Sequence, residues 1–468
     1  MTHHPCTKIV CTLGPATSTR EAIGSLMDAG LNVARINFSH GTHEQHAATI
    51  ALVRALAKER NCPVAILGDL QGPRIRIGEL KHPLDLRVGS DVVLAHESVA
   101  QGEDIPVTYD DIANDVHVGD RILINDGLLE LVVLEVDKPR VHARVVHGGP
   151  LTSHKGMNLP GVNVSAPSIT EKDRVDVEFA VAQNVDYLAL SFVRRAEDIE
   201  SLRTLVPKTM LIIAKIEKDH ALKSIESILR TSDGVMVARG DLGVELPFEE
   251  VPLAQKHIIS LARQIGRPVI TATQMLESMI EHPRPTRAEA SDVANAIVDG
   301  TDAVMLSAET ASGQYPRLAV EAMRRIITEV ETHPLPLRRD ERRKDDGHAT
   351  TEEAIAAATT AAVRMLGAPI VIVFTKSGFA ARIVSSHRPS VPILALTDNQ
   401  RTFQQLALVW GVIPHLVPHC DTYEEMVERA REAVVQRDLA KPGERVLVTA
   451  GVPFDTPRTT NTLRVEKV

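Results

Sequence analysis

Short runs rich in β-branched residues alternate with amphipathic stretches along most of this chain, and this alternation limits the possible folds more than any other feature. Before residue 71 the pattern predicts strands at 8–13, 32–38 and 63–70, with helices at 18–29 and 42–60 between them. After residue 168 it predicts five more strands, at 186–193, 210–217, 234–241, 268–274 and 302–309. Near-continuous apolar strands separated by helices are typical of a parallel sheet that is buried on both faces.

Eight predicted strand–helix units favour a closed (β/α)₈ barrel, in which helices surround a barrel of parallel strands. The alternative that the count leaves open is a doubly wound open sheet of eight strands. A GxGxxG fingerprint after the first strand would support the open sheet, but the segment GPATST at 14–19 lacks it. We therefore predict an α/β protein built on a TIM barrel.

Two segments interrupt this pattern and predict two further units. Residues 71–167 contain no convincing helix, and Gly, Pro and Asp punctuate alternating segments there, which indicates an inserted small β-barrel. A charged linker at 331–350 is followed by renewed strand–helix alternation. The predicted domains are the main barrel at 1–70 and 168–335, the inserted β domain at 71–167 and a C-terminal α/β domain at 350–468.

Charge and cysteine content argue against several classes of protein. The chain has 52 Lys and Arg against 61 Asp and Glu, a net charge of −9, so nucleic acid or an anionic membrane is not expected as a partner. The 4 cysteines form no CxxC pair and are expected to be free thiols in a reducing compartment. The polar first residues lack the apolar core of a signal peptide. We therefore expect a cytoplasmic location.

Polar side chains stand at the carboxyl ends of seven successive predicted barrel strands, the end at which (β/α)₈ barrels carry active sites. Packing explains any one of them, but it does not readily explain the whole set. The set comprises Arg35, Asn37, Ser39, Asp69, Ser191, Lys215, Glu217, Arg239, Gly240, Asp241, Thr271, Thr273, Ser307 and Glu309. The sequence therefore predicts one polar site at this mouth of the barrel.

The residue types at this mouth indicate phosphoryl or enolate chemistry. Glu217 and Asp241 offer hard oxygen ligands with no His or Cys beside them, which favours Mg²⁺ or Mn²⁺ over zinc. Lys215 lies on the same strand face as Glu217, where its ammonium group suits a phosphoryl group or an enolate oxygen. The alternative for Lys215 is an ion pair with these carboxylates. Arg35 and Arg76 could add phosphate contacts.

Long motifs in this chain resemble those of the pyruvate kinase family. They cover the main barrel and the inserted domain fully and the C-terminal domain more loosely. They are KIVCTLGPAT at 8–17, LNVARINFSHGTHE at 31–44, GDLQGPRIRIG at 68–78, KGMNLPG at 155–161, LSFVRRAEDI at 190–199, AKIEK at 214–218, DGVMVARGDLGVELP at 233–247 and a long segment at 268–316. The resemblance implies a glycolytic phosphotransferase that passes the phosphoryl group of phosphoenolpyruvate to ADP, giving pyruvate and ATP.

The resemblance also implies roles for individual residues. Lys215 would stabilise the phosphoryl group in transit and the enolate, Arg35 would hold the phosphate, and Glu217 and Asp241 would hold Mg²⁺ or Mn²⁺. The implied substrate contacts are Arg35, Lys215, Gly240, Asp241 and Thr273, and the implied nucleotide contacts are Asn37, Phe38, Ser39, His40, Arg76 and Lys155. Because Arg76 and Lys155 lie near the hinges of the inserted domain, that domain is expected to close as a lid and exclude water.

One departure from the family pattern concerns the monovalent cation. The site implied by the resemblance consists of Asn37, Ser39, Asp69 and the backbone of Leu70. Many members carry Glu where this chain has Arg74. Because the arginine supplies a fixed positive charge, we expect that K⁺ is not required.

A second departure concerns the effector loop that the resemblance places in the C-terminal domain, which is expected to be regulatory. Phe379 and Ala380 replace an Arg and a Ser of the family pattern, so we expect a sugar monophosphate or AMP as effector rather than a sugar bisphosphate. The retained loop residues are Thr375, Lys376, Ser377 and Gly378.

Two alternative functions and the assembly state complete these expectations. A Mg²⁺-dependent barrel lyase or aldolase acting on phosphoenolpyruvate or an oxo-acid would lack the two additional domains. A degenerate, non-enzymatic sensor of sugar phosphate would have lost Lys215 or a metal ligand, and this chain has lost neither. The resemblance further implies a homotetramer.

Overall fold

A closed barrel of eight parallel strands forms the centre of the chain, because β1 pairs with both β2 and β16. The computed structural model describes residues 4–333, 349–420, 422–451 and 460–468, so most of the predicted linker at 331–350 lies outside the described residues. The strands are β1 (Lys8–Leu13), β2 (Val33–Asn37), β3 (Ala65–Asp69), β4 (Leu84–Leu86), β5 (Asp91–His96), β6 (Ile105–Val107), β7 (Arg121–Ile124), β8 (Leu129–Asp137), β9 (Arg140–His147), β10 (Gly149–Leu151), β11 (Met157–Asn158), β12 (Tyr187–Leu190), β13 (Leu211–Ile216), β14 (Gly234–Ala238), β15 (Val269–Ala272), β16 (Ala303–Leu306), β17 (Val371–Phe374), β18 (Ile393–Thr397), β19 (Val412–Leu416), β20 (Arg445–Ala450) and β21 (Thr462–Lys467). The order β1-β16-β15-β14-β13-β12-β3-β2 confirms the predicted TIM barrel and excludes the open sheet.

Several helices begin at threonine N-caps, a residue type that is strongly preferred at this position. The helices are α1 (Arg20–Ala29), α2 (His43–Glu59), α3 (Ile112–Asp115), α4 (Glu171–Ala182), α5 (Ala196–Arg203), α6 (Asp219–Lys223), α7 (Ile225–Thr231), α8 (Arg239–Glu245), α9 (Val251–Ile265), α10 (Arg287–Asp299), α11 (Ala308–Ala311), α12 (Pro316–Thr332), α13 (Thr351–Leu366), α14 (Phe379–Ser386), α15 (Gln400–Gln405) and α16 (Tyr423–Gln436). In α2, α4, α10 and α13 a Thr and the residue three positions later form a capping box, which satisfies two backbone donors at each start.

The inserted unit, between β3 and α4, is a six-stranded sheet in the order β11-β7-β8-β9-β5-β6. Its edge strands are joined by one short segment, since Arg76 pairs with Gly156 beside β11 and Ile77 pairs with Val107 in β6. These bridges close the sheet around its own apolar core, which agrees with the predicted small β-barrel. The single helical turn α3 was not predicted, because four residues are too few to show a helical repeat.

The C-terminal unit, with sheet order β19-β18-β17-β20-β21, covers the amino-terminal end of the main barrel. Lys8 Nζ donates to the carbonyl of Val412 at 2.8 Å, and Tyr187 Oη donates to the carbonyl of Gln405 at 2.7 Å. Leu408 belongs to the same buried cluster as the interior residues of the barrel strands. Because this end is closed, the carboxyl ends of the strands form the mouth that is left for a site.

Cys6, Cys11, Cys62 and Cys420 are free thiols, as the sequence predicted. Within the described residues, no helix combines the length and the apolar character needed to cross a membrane.

We predict that Leu408→Ala destabilises the contact between the C-terminal unit and the barrel. Leu408 is fully buried, so the cavity should lower the free energy of unfolding by about 2–5 kcal/mol. Trp410, the only tryptophan of the chain, lies two residues away, and its fluorescence during denaturant unfolding provides the measurement. The matched control Leu416→Ala removes a side chain that is 39% exposed and should cost less than about 0.5 kcal/mol. Equal effects of the two variants would contradict the prediction.

Candidate active site

Four barrel strands bring their terminal polar side chains into one network at the mouth. Arg35 contacts Asp69 Oδ2 through Nε at 2.7 Å and through Nη2 at 2.6 Å. Lys215 Nζ lies 3.3 Å from Asp69 Oδ1 and 2.9 Å from Glu217 Oε1, and it donates to Ser191 Oγ at 2.7 Å. The structure therefore places five of the predicted mouth residues in direct contact.

The charges of this network stabilise one another. Burial alone would lower the pKa of Lys215, but the carboxylates of Asp69 and Glu217 raise it above its ordinary value. Burial alone would raise the pKa of Asp69, but the charges of Lys215 and Arg35 lower it below its ordinary value. Lys215 therefore remains an ammonium group at neutral pH, with only 12% of its side chain exposed.

Glu217 and Asp241 form a pair of acidic groups suited to a divalent cation. Glu217 Oε2 accepts a hydrogen bond from the backbone N–H of Phe192 at 2.6 Å. Burial and the neighbouring charge of Glu217 raise the pKa of Asp241 to about 6. A bound cation relieves such repulsion, and carboxylate oxygens suit Mg²⁺. The described residues contain no group of three or more His, Cys, Asp or Glu that could hold a metal, so other oxygens must complete the coordination shell.

The start of α8 and the end of β15 meet at a small cradle, formed by the Gly240 N–H and the Thr273 hydroxyl. Gly240 N–H donates to Thr273 Oγ1 at 2.7 Å, and this hydroxyl donates to the carbonyl of Ala272 at 2.6 Å. Thr273 has a φ of 68°, which is strained for a β-branched residue. Arg239 stabilises this conformation, because its Nη2 donates to the carbonyl of Thr273 at 2.8 Å while the guanidinium pairs with Asp292 at 2.7 Å. Arg239 thus stabilises the backbone conformation in which the Thr273 hydroxyl accepts from the Gly240 N–H.

Arg74 reaches the residues expected to hold a monovalent cation. Its Nη2 donates to Ser39 Oγ at 3.3 Å, and the backbone N–H of Ser39 donates to Asn37 Oδ1 at 3.1 Å. The carbonyl of Leu70 accepts a hydrogen bond from Ser191 Oγ at 2.7 Å. Arg74 therefore brings its positive charge into contact with the predicted cation site.

A cluster of arginines surrounds His40 beside this site. Burial and then the charges of Arg74, Arg76 and Arg35 lower the pKa of His40. The backbone carbonyl of Lys155 accepts a hydrogen bond from the residue after Arg76 at 2.9 Å, so these two predicted nucleotide contacts lie on adjacent segments. The surface beside the mouth is therefore positively charged, as anion binding requires.

Two predicted mouth residues and one predicted nucleotide contact have structural surroundings instead. Thr271 is buried, and its hydroxyl bonds to Thr301 Oγ1 at 3.0 Å on the outer face of the barrel, because Ile270 and Ala272 face the interior, so the expectation that it faces the mouth was wrong. Both oxygens of Glu309 accept backbone N–H groups of nearby loops. The ring of Phe38 is 2% exposed and its carbonyl accepts from Lys172 Nζ, so its side chain faces the protein interior.

The predicted effector loop lies in the C-terminal unit, separate from the mouth. It connects β17 to α14, with Lys376 and Ser377 exposed. The Thr402 hydroxyl donates to the carbonyl of Lys376 at 2.7 Å, and Arg382 Nη2 donates to the carbonyl of Ser377 at 3.2 Å. Gly378 caps α14 with a φ of 76°, a conformation that favours glycine. Thr375 follows β17 directly.

A barrel whose mouth joins a buried lysine, two carboxylates suited to a divalent cation and an arginine cluster has the features of an enzyme that acts on phosphorylated anions. Residues 4–320 match the family model "Pyruvate kinase, barrel domain", and residues 353–466 match "Pyruvate kinase, alpha/beta domain". The chain therefore belongs to the pyruvate kinase family. Its activity is glycolytic phosphoryl transfer from phosphoenolpyruvate to ADP, which yields pyruvate and ATP, and the family uses Mg²⁺.

Full-length relatives agree with this assignment. A pyruvate kinase of Geobacillus stearothermophilus is 46% identical over 472 residues, which cover 99% of this chain and 80% of that protein. A pyruvate kinase of Agrobacterium vitis is 45% identical over 472 residues, covering 98% and 96% of the two chains. The crystal structure of a pyruvate kinase from Cryptosporidium parvum aligns with a TM-score of 0.92 at 36% identity, covering 99% and 96%. The lyase and sensor alternatives receive no support.

Proposed function

We propose that Lys215 is the central catalytic group of this phosphoryl transfer. The observation that carries the proposal is its position, since a buried ammonium group lies 2.9 Å from Glu217, which we assign to the metal together with Asp241. From there the ammonium group would neutralise charge on the phosphoryl group in transit and on the enolate oxygen. A divalent cation, Mg²⁺ or Mn²⁺, held by Glu217 and Asp241 would supply further charge neutralisation.

The remaining roles follow from the cradle and from Arg35. The backbone N–H groups of Gly240 and Asp241 would hold the substrate carboxylate. Because the Gly240 N–H now donates to Thr273 Oγ1, the carboxylate would replace this acceptor and leave the hydroxyl to contact the substrate. Thr273 would then lie beside the carbon at which enolpyruvate takes its proton. Arg35, anchored by Asp69, would hold the phosphate.

The inserted unit would act as a lid over the nucleotide. Gly72, at the first hinge, has a φ of 68°, and its N–H donates to Asp173 Oδ1 at the start of α4 at 3.1 Å. Movement about this hinge would carry Arg76 and Lys155 onto the nucleotide phosphates. The backbone of residues 37–40, with His40 at its end, would form the opposite side. Closure would exclude water from the transfer.

Lys215→Ala should keep the fold and lose turnover. Removal of one preorganised charge costs about 10²–10³ in rate, equivalent to ~3–4 kcal/mol. The measurement is initial velocity with phosphoenolpyruvate and ADP in an assay coupled to lactate dehydrogenase. The control Lys223→Ala removes an exposed lysine and should stay within about twofold of the parent. A folded Lys215→Ala enzyme that matched this control would contradict the assigned role.

We further propose that Arg74 takes the place of a monovalent cation. A glutamate at this position adds negative charge beside Asp69, which a bound cation must offset before an anionic substrate binds. Arg74 is positive instead, and a guanidinium group does not lose its proton at working pH. Its contact with Ser39 Oγ supports this proposal, because Ser39 belongs to the expected cation site.

Turnover should therefore be independent of K⁺. In a buffer whose only monovalent cation is tetramethylammonium, addition of KCl should change the rate by less than about twofold, since the arginine supplies the charge permanently. Arg74→Glu should acquire a K⁺ requirement that the parent lacks. Tenfold or greater stimulation of the parent enzyme by KCl would show that the ion still binds.

The effector proposal rests on the loop formed by Thr375, Lys376, Ser377 and Gly378. The start of α14 can hold one phosphate through backbone N–H groups and hydroxyls, so we propose a sugar monophosphate or AMP as effector. Phe379 and Ala380 offer no charged contact to a second phosphate. We also propose, from the family alone, a cytoplasmic homotetramer.

A sugar bisphosphate should therefore bind weakly to this chain. Each missing charged contact removes roughly 1.5–3 kcal/mol of binding free energy. Calorimetric titration with a sugar bisphosphate, beside a matched titration with the monophosphate, measures the difference. Tight binding of the bisphosphate, together with a large drop in the half-saturating phosphoenolpyruvate concentration, would refute the proposal.

A further inference from the structure

A buried ion pair outside the assigned catalytic groups connects the two segments that carry the metal carboxylates. Lys218 directly follows Glu217, and its Nζ lies 2.5 Å from Glu245 Oε1. Glu245 is the last residue of α8, the helix whose first turn carries Asp241. Residues four apart on a helix share one face, so Glu245 lies on the side of α8 that carries Asp241. The pair therefore joins the Glu217 segment to the Asp241 helix.

Lys218 also contacts the residue that orients Glu217. Its Nζ lies 5.8 Å from the centre of the Phe192 ring, and the backbone N–H of Phe192 donates to Glu217 Oε2 at 2.6 Å. Phe192 has a φ of 54°, a left-handed conformation that an aromatic residue adopts only when its surroundings hold it there. Lys218 thus contacts one metal-ligand segment through Phe192 and the other through Glu245.

Glu245 has a second neighbour in the inserted unit. Asn158 Nδ2, in β11, donates to Glu245 Oε1 at 3.4 Å. Glu245 Oε2 is buried and has no hydrogen-bond partner among the described residues. Glu245 therefore contacts the Glu217 segment through Lys218 and the inserted unit through Asn158.

We propose that Lys218 and Glu245 are positioning residues that set the separation of Glu217 and Asp241, and that Asn158 couples this pair to the position of the inserted unit. The inference rests on the metal assignment given above. It adds a contact through which closure of the lid would change the separation of Glu217 and Asp241, without any direct contact between lid and metal.

The test is Mn²⁺ affinity, measured on the full chain without substrate or nucleotide by the paramagnetic resonance signal of free Mn²⁺. Lys218→Met removes a positive charge near the site, so electrostatics alone would tighten Mn²⁺ binding. Loss of positioning would instead weaken it by about tenfold or more, as is typical of groups that orient metal ligands. The sign of the change therefore separates the two explanations.

A second variant covers the case in which Lys218→Met does not fold. Lys218→Met combined with Glu245→Leu removes both charges, and apolar replacement of a buried pair is commonly tolerated. Because the net charge is unchanged, weaker Mn²⁺ binding by this double variant would support positioning. Unchanged or tighter binding by the folded variants would overturn it. The matched control Lys256→Met breaks the Lys256–Asp299 pair between α9 and α10 and should leave Mn²⁺ affinity unchanged.

Two further variants separate the parts of the proposal. If Asp241→Asn fails to weaken Mn²⁺ binding, the metal assignment itself is wrong. If Asp241→Asn weakens binding and Lys218→Met does not, only the positioning role is wrong.

Asn158→Ala should leave Mn²⁺ affinity unchanged and raise the KM for ADP, because it breaks only the contact with the lid. An unchanged KM for ADP would remove the coupling from the proposal.

Discussion

One buried ammonium group, Lys215, lies between the carboxylates of Asp69 and Glu217, and the arrangement of the mouth depends on it. Desolvation of three charged groups is costly unless each has a close partner, so the ends of β3 and β13 must stay at a fixed separation across β12. Arg35 adds a second cation to Asp69, and Ser191 joins the end of β12. Removal of Lys215 would leave Glu217 without this cation, whereas Asp69 would keep its contact with Arg35.

Backbone strain also occurs beside this network, as it does at several other places in the described chain. Phe192, Thr273 and Gln274 all have positive φ values although none is glycine. Phe192 presents its N–H to Glu217, and Thr273 presents its hydroxyl to the Gly240 N–H. Such conformations persist only where the surroundings determine them, and they cluster at functional sites. The mouth is therefore held ready for its ligands at the expense of local stability.

The sequence predicted the barrel well, because buried parallel strands and capped helices leave a periodic signal. It also identified the charged groups of the mouth, since strand ends concentrate them in this fold. It failed at Thr271, because residues at alternate positions share a strand face only while the strand continues, and the chain turns at Thr273. It did not identify Lys218 or Glu245, because their partners are distant in sequence and only the folded chain brings them together.

The closure of the inserted sheet by its short bridging segment has a consequence for how such an enzyme can change over evolution. Arg76 lies in that segment, and the carbonyl of Lys155 accepts a hydrogen bond from the residue after Arg76, so these two groups proposed for the nucleotide belong to one closed unit with its own apolar core. Residues 37–40, which are also proposed for the nucleotide, belong to the main barrel. The groups proposed for phosphoryl transfer belong to the main barrel. Recognition of the second substrate is therefore divided between the two units. Exchange of the whole insert between homologues would replace the contacts of Arg76 and Lys155 with the nucleotide and leave the chemistry of the recipient intact.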